Sequence, residues 1–157
     1  MHDRLIDVPG GRLHLVDEGD PADPPLVLIH AGIADLRAWD DLAPLLVAAG
    51  YRVARYDMRG HGRTATDDVE FSNRADAMAV LDDIGARRAV LVGNSRGGQI
   101  AIDTAIEFPD RVAAVVGVGA GLGGFEGELT PAEAALFERA DALESAEPPD
   151  AAAIADI

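Results

Sequence analysis

The sequence contains no cysteine and no lysine, and aromatic residues make up only 4% of it. Without cysteine the chain has no disulfide framework, no thiolate nucleophile and no cysteine-based metal site. No apolar run is long enough to cross a membrane, and residues 1–10 lack the apolar centre of a secretion signal. We therefore expect a cytoplasmic protein without a membrane partner.

The charge balance is strongly acidic. The sequence has 13 basic and 28 acidic residues, which gives a formal net charge of −15. Such a surface repels phosphate backbones and anionic lipid headgroups, so we expect no nucleic-acid partner. At 157 residues and 48% hydrophobic content, the chain can form one domain with a substantial core.

Short apolar runs alternate along the chain with segments of helical periodicity. A hairpin is predicted around Pro9-Gly10-Gly11. Continuous apolar runs then predict four buried parallel strands, at residues 26–29, 51–56, 89–92 and 112–118. The intervening helices begin at capping residues, with Asp40 or Asp41 before the first and Ser72 before the second. This order predicts an α/β fold, a mostly parallel sheet with helices on both faces.

The composition changes after residue 118. Residues 119–127 are rich in glycine, and Thr130-Pro131-Ala132-Glu133 is typical of a helix start, with Thr130 as the cap. Pro148-Pro149 ends this helix, and residues 150–157 predict another weakly helical segment. We therefore divide the chain into residues 1–118, the core, and residues 119–157, a separate segment.

The most informative pattern is Gly93-Asn94-Ser95-Arg96-Gly97, which directly follows an apolar run. It predicts a nucleophile elbow, in which a strand leads into a sharp turn that carries Ser95 and then into a helix. Glycine is needed on both sides, because a side chain there would collide with the adjoining strand or helix. The alternative is a tight strand-to-helix turn whose serine only caps the helix.

Two other loops follow predicted strands. His30-Ala31-Gly32 ends the first parallel strand, where its backbone N–H groups can face a substrate carbonyl. Together with the N–H of Arg96, at the positive end of a helix, this loop would form an oxyanion hole. The glycine-punctuated turn from Asp57 to Gly62 is expected to be structural, with Asp57 paired to Arg59, and His61 is expected to be solvated.

These residues together resemble the α/β-hydrolase superfamily over residues 5–118. The segment from Val90 to Gln99 is similar to the nucleophile segment of ester, lactone and C–C bond hydrolases. The loop at His30 is similar to the family's His-Gly oxyanion loop, with Ala31 where glycine is usual. The resemblance implies that Ser95 is the nucleophile, that Gly32 and Arg96 donate oxyanion N–H groups, and that residues 119–157 begin a lid. The residues that it implies shape the site are His30, Gly93, Asn94 and Gly97.

The sequence departs from the family in one large respect. Members carry an acid and then a histidine after the serine, whereas His2, His14, His30 and His61 all precede Ser95. We therefore expect the fold to be truncated after its sixth strand, with the triad acid and histidine outside this chain. His30 as the base is a minor alternative. No metal site and no cofactor are expected.

The sequence thus predicts a serine hydrolase that acts on a small ester, lactone or related carbonyl compound through an acyl-enzyme. One alternative is a catalytically inactive binding or scaffold module of the same fold, and another is a cofactor-free perhydrolase or haloperoxidase. The expected partner is a small-molecule substrate. The sheet edge at Val112–Val118 should in addition be covered by the missing C-terminal portion or by self-association.

Overall fold

The computed structural model describes residues 1–121 and 130–144. The chain divides into two compact units, Met1–Gly123 and Gly124–Ile157. In the second unit, a helix begins at Pro131, as the Thr130-Pro131 pattern predicts. Most of the predicted glycine-rich segment and the second helical segment at residues 150–157 lie outside the described residues.

The first unit alternates strands and helices. Its strands are β1 (His2–Val8), β2 (Gly11–Glu18), β3 (Pro25–Ile29), β4 (Arg52–Tyr56), β5 (Ala65–Thr66), β6 (Ala89–Asn94) and β7 (Val112–Val118). Its helices are α1 (Ala43–Ala48), α2 (Asn73–Asp83) and α3 (Arg96–Glu107), with a 3-10 turn at Leu36–Trp39. The helix of the second unit is α4 (Pro131–Glu144).

All the strands of this unit form one sheet, in the order β1-β2-β4-β3-β6-β7, with β5 paired to β2. Strands β4, β3, β6 and β7 run parallel, and β1, β2 and β5 join them antiparallel. The predicted α/β class is confirmed, and so is the hairpin of β1 and β2. The prediction missed β5, because a strand of two residues is too short to show a period-2 pattern.

Both faces of the sheet are covered by other parts of the chain. Alternate side chains of the central strand β3 point to opposite faces and pack into two different clusters. Val27 and Ile29 of β3 belong to a large apolar cluster that contains side chains of α2 and α3. Leu26 and Leu28 belong to a smaller cluster with Trp39 and the start of α1. This arrangement explains why β3 is a continuous apolar run in the sequence.

One of the two helix caps predicted within the first unit is wrong. Helix α1 begins after Leu42 without a side-chain cap, and Asp40 instead forms an ion pair with Arg55 of β4. The other is confirmed, since the Ser72 hydroxyl accepts a hydrogen bond from the Ala75 N–H at 3.3 Å. The two sites differ because the Arg55 guanidinium competes with the helix N–H groups for the Asp40 carboxylate, and a capping rule based on local sequence does not include such a partner.

Strand β7 lies at the end of the described sheet. It pairs with β6 on one side, and Val116 and Val118 are 48% and 51% exposed. The prediction of a parallel strand at residues 112–118 is confirmed, but the prediction that this strand is buried is wrong, because within the described residues it has a neighbour on one side only. None of the helices within the described residues is long and apolar enough to span a bilayer.

Candidate active site

Ser95 stands between the end of β6 and the start of α3. Its backbone has φ 50° and ψ −116°, and it is the one residue other than glycine with positive φ in the described part of the chain. Such a conformation costs about 1–3 kcal/mol and persists only where the surroundings enforce it. The Ser95 N–H donates to the Val118 carbonyl at 2.9 Å, which ties the turn to β7. The residue is exposed.

The glycines around Ser95 allow the strand and the helix to approach each other closely. A Cβ at Gly93 would lie 2.2 Å from the Gly97 carbonyl oxygen, and a Cβ at Gly97 would lie 2.2 Å from the Ile29 oxygen. A Cβ at Gly98 would lie 2.4 Å from the Ala120 Cβ. No side chain fits at these distances, so glycine is required at all three positions for the strand and the helix to meet in this turn.

The loop after β3 lies beside this elbow. A Cβ built on Gly32 would be 3.4 Å from Cδ of Arg96, so the stem of that arginine covers the loop. The Ala34 N–H donates to the Ala31 carbonyl at 3.0 Å and closes a turn around Gly32 and Ile33. The loop thus lies against the first residue of α3, a helix end whose first N–H groups have no partner within their helix.

His61 connects the second loop to the first. Its Nε2 lies 2.7 Å from the Gly32 carbonyl oxygen and its Nδ1 lies 3.0 Å from the Arg59 oxygen. The ring is half-buried, so the expectation of a solvated His61 is wrong. In a trans peptide the C=O and the following N–H point in opposite directions. The Ile33 N–H therefore points away from His61, and it joins the Gly32 N–H as a candidate oxyanion donor.

His30 is fully buried, and both of its ring nitrogens are occupied. Nδ1 donates to the Ala31 carbonyl at 2.7 Å, and Nε2 accepts the Met58 N–H at 2.9 Å. Burial lowers the pKa of this imidazole, which favours the neutral form that the two contacts require. His30 therefore has no free lone pair for the Ser95 hydroxyl, and it holds the two loops together instead of acting as the base.

Asp57 fixes the loops from the other side. Its carboxylate accepts the N–H groups of Leu36 and Arg63, both at 2.8 Å, and lies 2.7 Å from Nδ1 of His14. The other ring nitrogen of His14 lies 2.9 Å from Asp3, and this hydrogen bond lowers the pKa of Asp3. All of these contacts serve the architecture of the loops.

The predicted pairing of Asp57 with Arg59 is wrong. Arg59 instead holds Asp76 of α2 through two hydrogen bonds of 2.7 and 2.8 Å, and both side chains are buried. It also donates to the carbonyls of Pro9 and Gly10, each at 2.8 Å. Arg59 thus ties the turn to α2 and to the hairpin, contacts that a local reading of the motif misses.

A cavity of about 570 Å³ opens beside Ser95. We call it the elbow pocket. Its wall includes Phe71, Asn73 and Arg74 near the start of α2 and Arg96, Gln99 and Asp103 on α3. Within the described residues, no group of side chains could hold a metal ion.

Known proteins share this fold and this sequence pattern. The sequence profile of the alpha/beta hydrolase fold family matches residues 24–150. Epoxide hydrolase A of Mycobacterium tuberculosis is 38% identical over 119 residues, which are 72% of this chain and 37% of that protein. Rhodomycin D methylesterase of Streptomyces peucetius is 42% identical over 101 residues, 60% of this chain and 34% of that protein.

A solved structure of a relative has a similar fold. Epoxide hydrolase A from Mycobacterium thermoresistibile superimposes with a TM-score of 0.70 at 37% identity, over 74% of this chain and 38% of that one. The chain belongs to the α/β-hydrolase family, and it spans little more than a third of the length of these relatives.

Proposed function

We propose that this protein is a serine hydrolase that acts on a small ester, lactone or related carbonyl compound. One observation carries the proposal: Ser95 is held in a strained backbone conformation, with its side chain exposed, next to the Gly32 loop. A helix-capping serine would not require this conformation. Strain at an exposed nucleophilic residue is typical of an active site.

Serine chemistry favours a carbonyl substrate over an epoxide. If the Ser95 oxygen attacked an epoxide carbon, the product would be an alkyl ether, which has no carbonyl for water to attack. Attack on an ester carbon instead gives a tetrahedral oxyanion, which expels the alcohol and leaves an acyl-serine. Water then hydrolyses the acyl group and regenerates the serine. This chemistry fits the methylesterase relative better than the epoxide hydrolase relatives.

The oxyanion would be bound by backbone donors. The Arg96 N–H lies at the start of α3, where the helix dipole favours negative charge, and the turn at Gly32 and Ile33 supplies the second donor. Each such donor is worth roughly 3–4 kcal/mol of transition-state stabilisation. Because the loop is held by both His30 and His61, these donors are fixed before the substrate binds.

The base that activates Ser95 is a separate question. His30 and His61 are committed to loop contacts, His14 lies between two carboxylates, and His2 is in β1. We infer that the histidine and its orienting carboxylate come from a segment beyond these 157 residues.

Labelling with a fluorophosphonate tests the proposal. We expect the protein as encoded by its full gene to be labelled rapidly at Ser95, and chain 1–157 to be labelled slowly or not at all. Ser95→Ala should abolish labelling, whereas Ser72→Ala, at a serine that also lines the elbow pocket, should leave it intact.

Two labelling results would contradict the proposal, and each has a different meaning. A full-length protein that resists the reagent would favour an inactive binding module. Rapid labelling of chain 1–157 would show that a base for Ser95 lies within it.

A further inference from the structure

Arg96 has a side chain that the proposed chemistry does not use. Only its backbone N–H has a role in the proposed oxyanion hole, yet the residue lines the elbow pocket together with Ser95. The side chain is exposed, and its stem lies against Gly32. A permanent positive charge therefore stands one residue from the nucleophile, since arginine stays protonated in proteins.

This guanidinium has no acidic partner within residues 1–121. Eight other arginines in that range do form ion pairs with the carboxylates of this acidic chain. Arg74, the other arginine of the elbow pocket, is paired with Glu107. Among the residues that the structure describes, none therefore neutralises the charge of Arg96 at the pocket.

The neighbours of Arg96 indicate which anion would fit. The pocket also contains the carboxylate of Asp103, while Asn73 and Gln99 provide neutral amides. One guanidinium balances one negative charge, whereas a phosphate dianion would leave excess negative charge facing Asp103. The planar fork of arginine matches a carboxylate through two parallel hydrogen bonds.

We propose that Arg96 binds a carboxylate carried by the substrate, so that the preferred substrates are anionic esters or lactones. This inference rests on the proposed function, because it assigns the substrate class of the same site. The carboxylate would lie a few bonds from the scissile carbonyl, on the acyl side that enters the elbow pocket. Binding there would orient the carbonyl carbon toward the Ser95 oxygen.

A matched pair of esters tests it in the full-length protein. Monomethyl glutarate and methyl pentanoate have the same scissile bond and acyl length, but only the first carries a carboxylate. We expect kcat/KM to be higher for the glutarate ester. Arg96→Gln keeps the backbone N–H and removes the charge, and it should lower the ratio of the two kcat/KM values about ten- to a hundredfold.

Three further variants separate recognition from a general effect on the fold. Arg96→Lys should restore part of the ratio, and Arg96→Glu should reverse the preference toward an ester that carries an ammonium group. Arg87→Gln removes an exposed arginine just before β6, at the opposite end of that strand from Ser95. It should leave the ratio unchanged.

A second measurement does not depend on turnover. Glutarate should slow fluorophosphonate labelling of Ser95 in the unmodified protein and have much less effect in Arg96→Gln. If Ser95 is labelled but glutarate gives no protection, and the ester ratio is the same in both proteins, the carboxylate site is disproved and the hydrolase proposal stands. If Ser95 is not labelled and neither ester is hydrolysed, both proposals fail.

Discussion

Nε2 of His61 lies 2.7 Å from the carbonyl oxygen of Gly32, and so joins the turn after β4 to the loop that packs against Arg96. The same ring contacts the Arg59 carbonyl at 3.0 Å and packs edge-on against His30, with the ring centroids 5.1 Å apart. One imidazole therefore determines the orientation of the Gly32–Ile33 peptide, from which an oxyanion donor would come.

Replacing His61 by alanine should reduce catalysis more than substrate binding. We expect kcat for ester hydrolysis to fall about ten- to a hundredfold with little change in KM, because misplaced oxyanion donors weaken binding of the transition state. His61→Gln, whose amide can donate to Gly32, should recover part of the loss, and His2→Ala, in β1, serves as the control. An unchanged kcat in His61→Ala would show that the loop keeps its conformation without the ring.

Gly97→Ala should destabilise the fold. Its Cβ would lie 2.2 Å from the Ile29 oxygen and 2.5 Å from the His30 oxygen, and neither backbone atom can move freely. We expect a loss of about 3 kcal/mol or more in the free energy of unfolding, measured by chemical denaturation. Gly121→Ala, where no atom lies within 4 Å of the new Cβ, should change it by less than about 0.5 kcal/mol.

Asp76→Asn should also be costly, because it leaves the buried guanidinium of Arg59 without its counter-charge. Breaking a buried pair in this way costs about 3–5 kcal/mol. Asp82→Asn is the matched control, since Asp82 is 66% exposed in its ion pair with Arg111 and the loss should be at most about 1 kcal/mol. Equal effects of the two substitutions on the denaturation midpoint would contradict this account of Arg59.

The stability of the fold should fall as the pH drops below about 6.5. Burial lowers the pKa of His30 in the folded state, so below that pH the unfolded chain binds a proton that the folded chain does not. Linkage then requires the free energy of unfolding to decrease until the pH reaches the folded pKa. His30→Gln, which keeps an acceptor for the Met58 N–H, should show a smaller decrease between pH 7 and pH 5. An NMR titration in which the His30 ring protonates above pH 6.5 would refute this.

The outer edge of β7 predicts self-association of chain 1–157. Val116 and Val118 leave an apolar strand exposed there, and such an edge pairs readily with another chain. Sedimentation should show oligomers that Val116→Lys reduces. Ile106→Lys, on α3 and 75% exposed in the parent chain, should not reduce them. A monomer that unfolds cooperatively would contradict the prediction.

The sequence predicts the sheet well because its strands depend on local signals, and continuous apolar runs mark β3 and β6. The glycines at 93 and 97 also stand out in the sequence, and the close approach of β6, α3 and the end of β3 explains why they are needed. The sequence is a poorer guide to which polar side chains form hydrogen bonds and ion pairs with each other. Asp57 pairs with His14 and not with the nearby Arg59, and Asp40 pairs with Arg55 instead of capping α1.

The partner of each polar side chain depends on which strands and helices become neighbours in the fold. Arg59 finds Asp76 because α2 packs over the turn, and His61 finds Gly32 because β3 and β4 are adjacent in the sheet. The chain has 28 acidic residues, so composition and spacing alone do not identify the partner of any one arginine. The role of His61 was missed for the same reason.

The packing around Ser95 also limits how this turn can evolve. Positions 93, 97 and 98 have no room for a β-carbon, so mutation there is opposed by the architecture whatever reaction the protein performs. Positions 95 and 96 are exposed and have room for a side chain, and the positive φ of residue 95 is the constraint that remains there. With Ser95 as the proposed nucleophile, natural selection can exchange that residue and its charged neighbour on a constant scaffold, which is one physical route by which a single ancestor gives rise to enzymes of different chemistry.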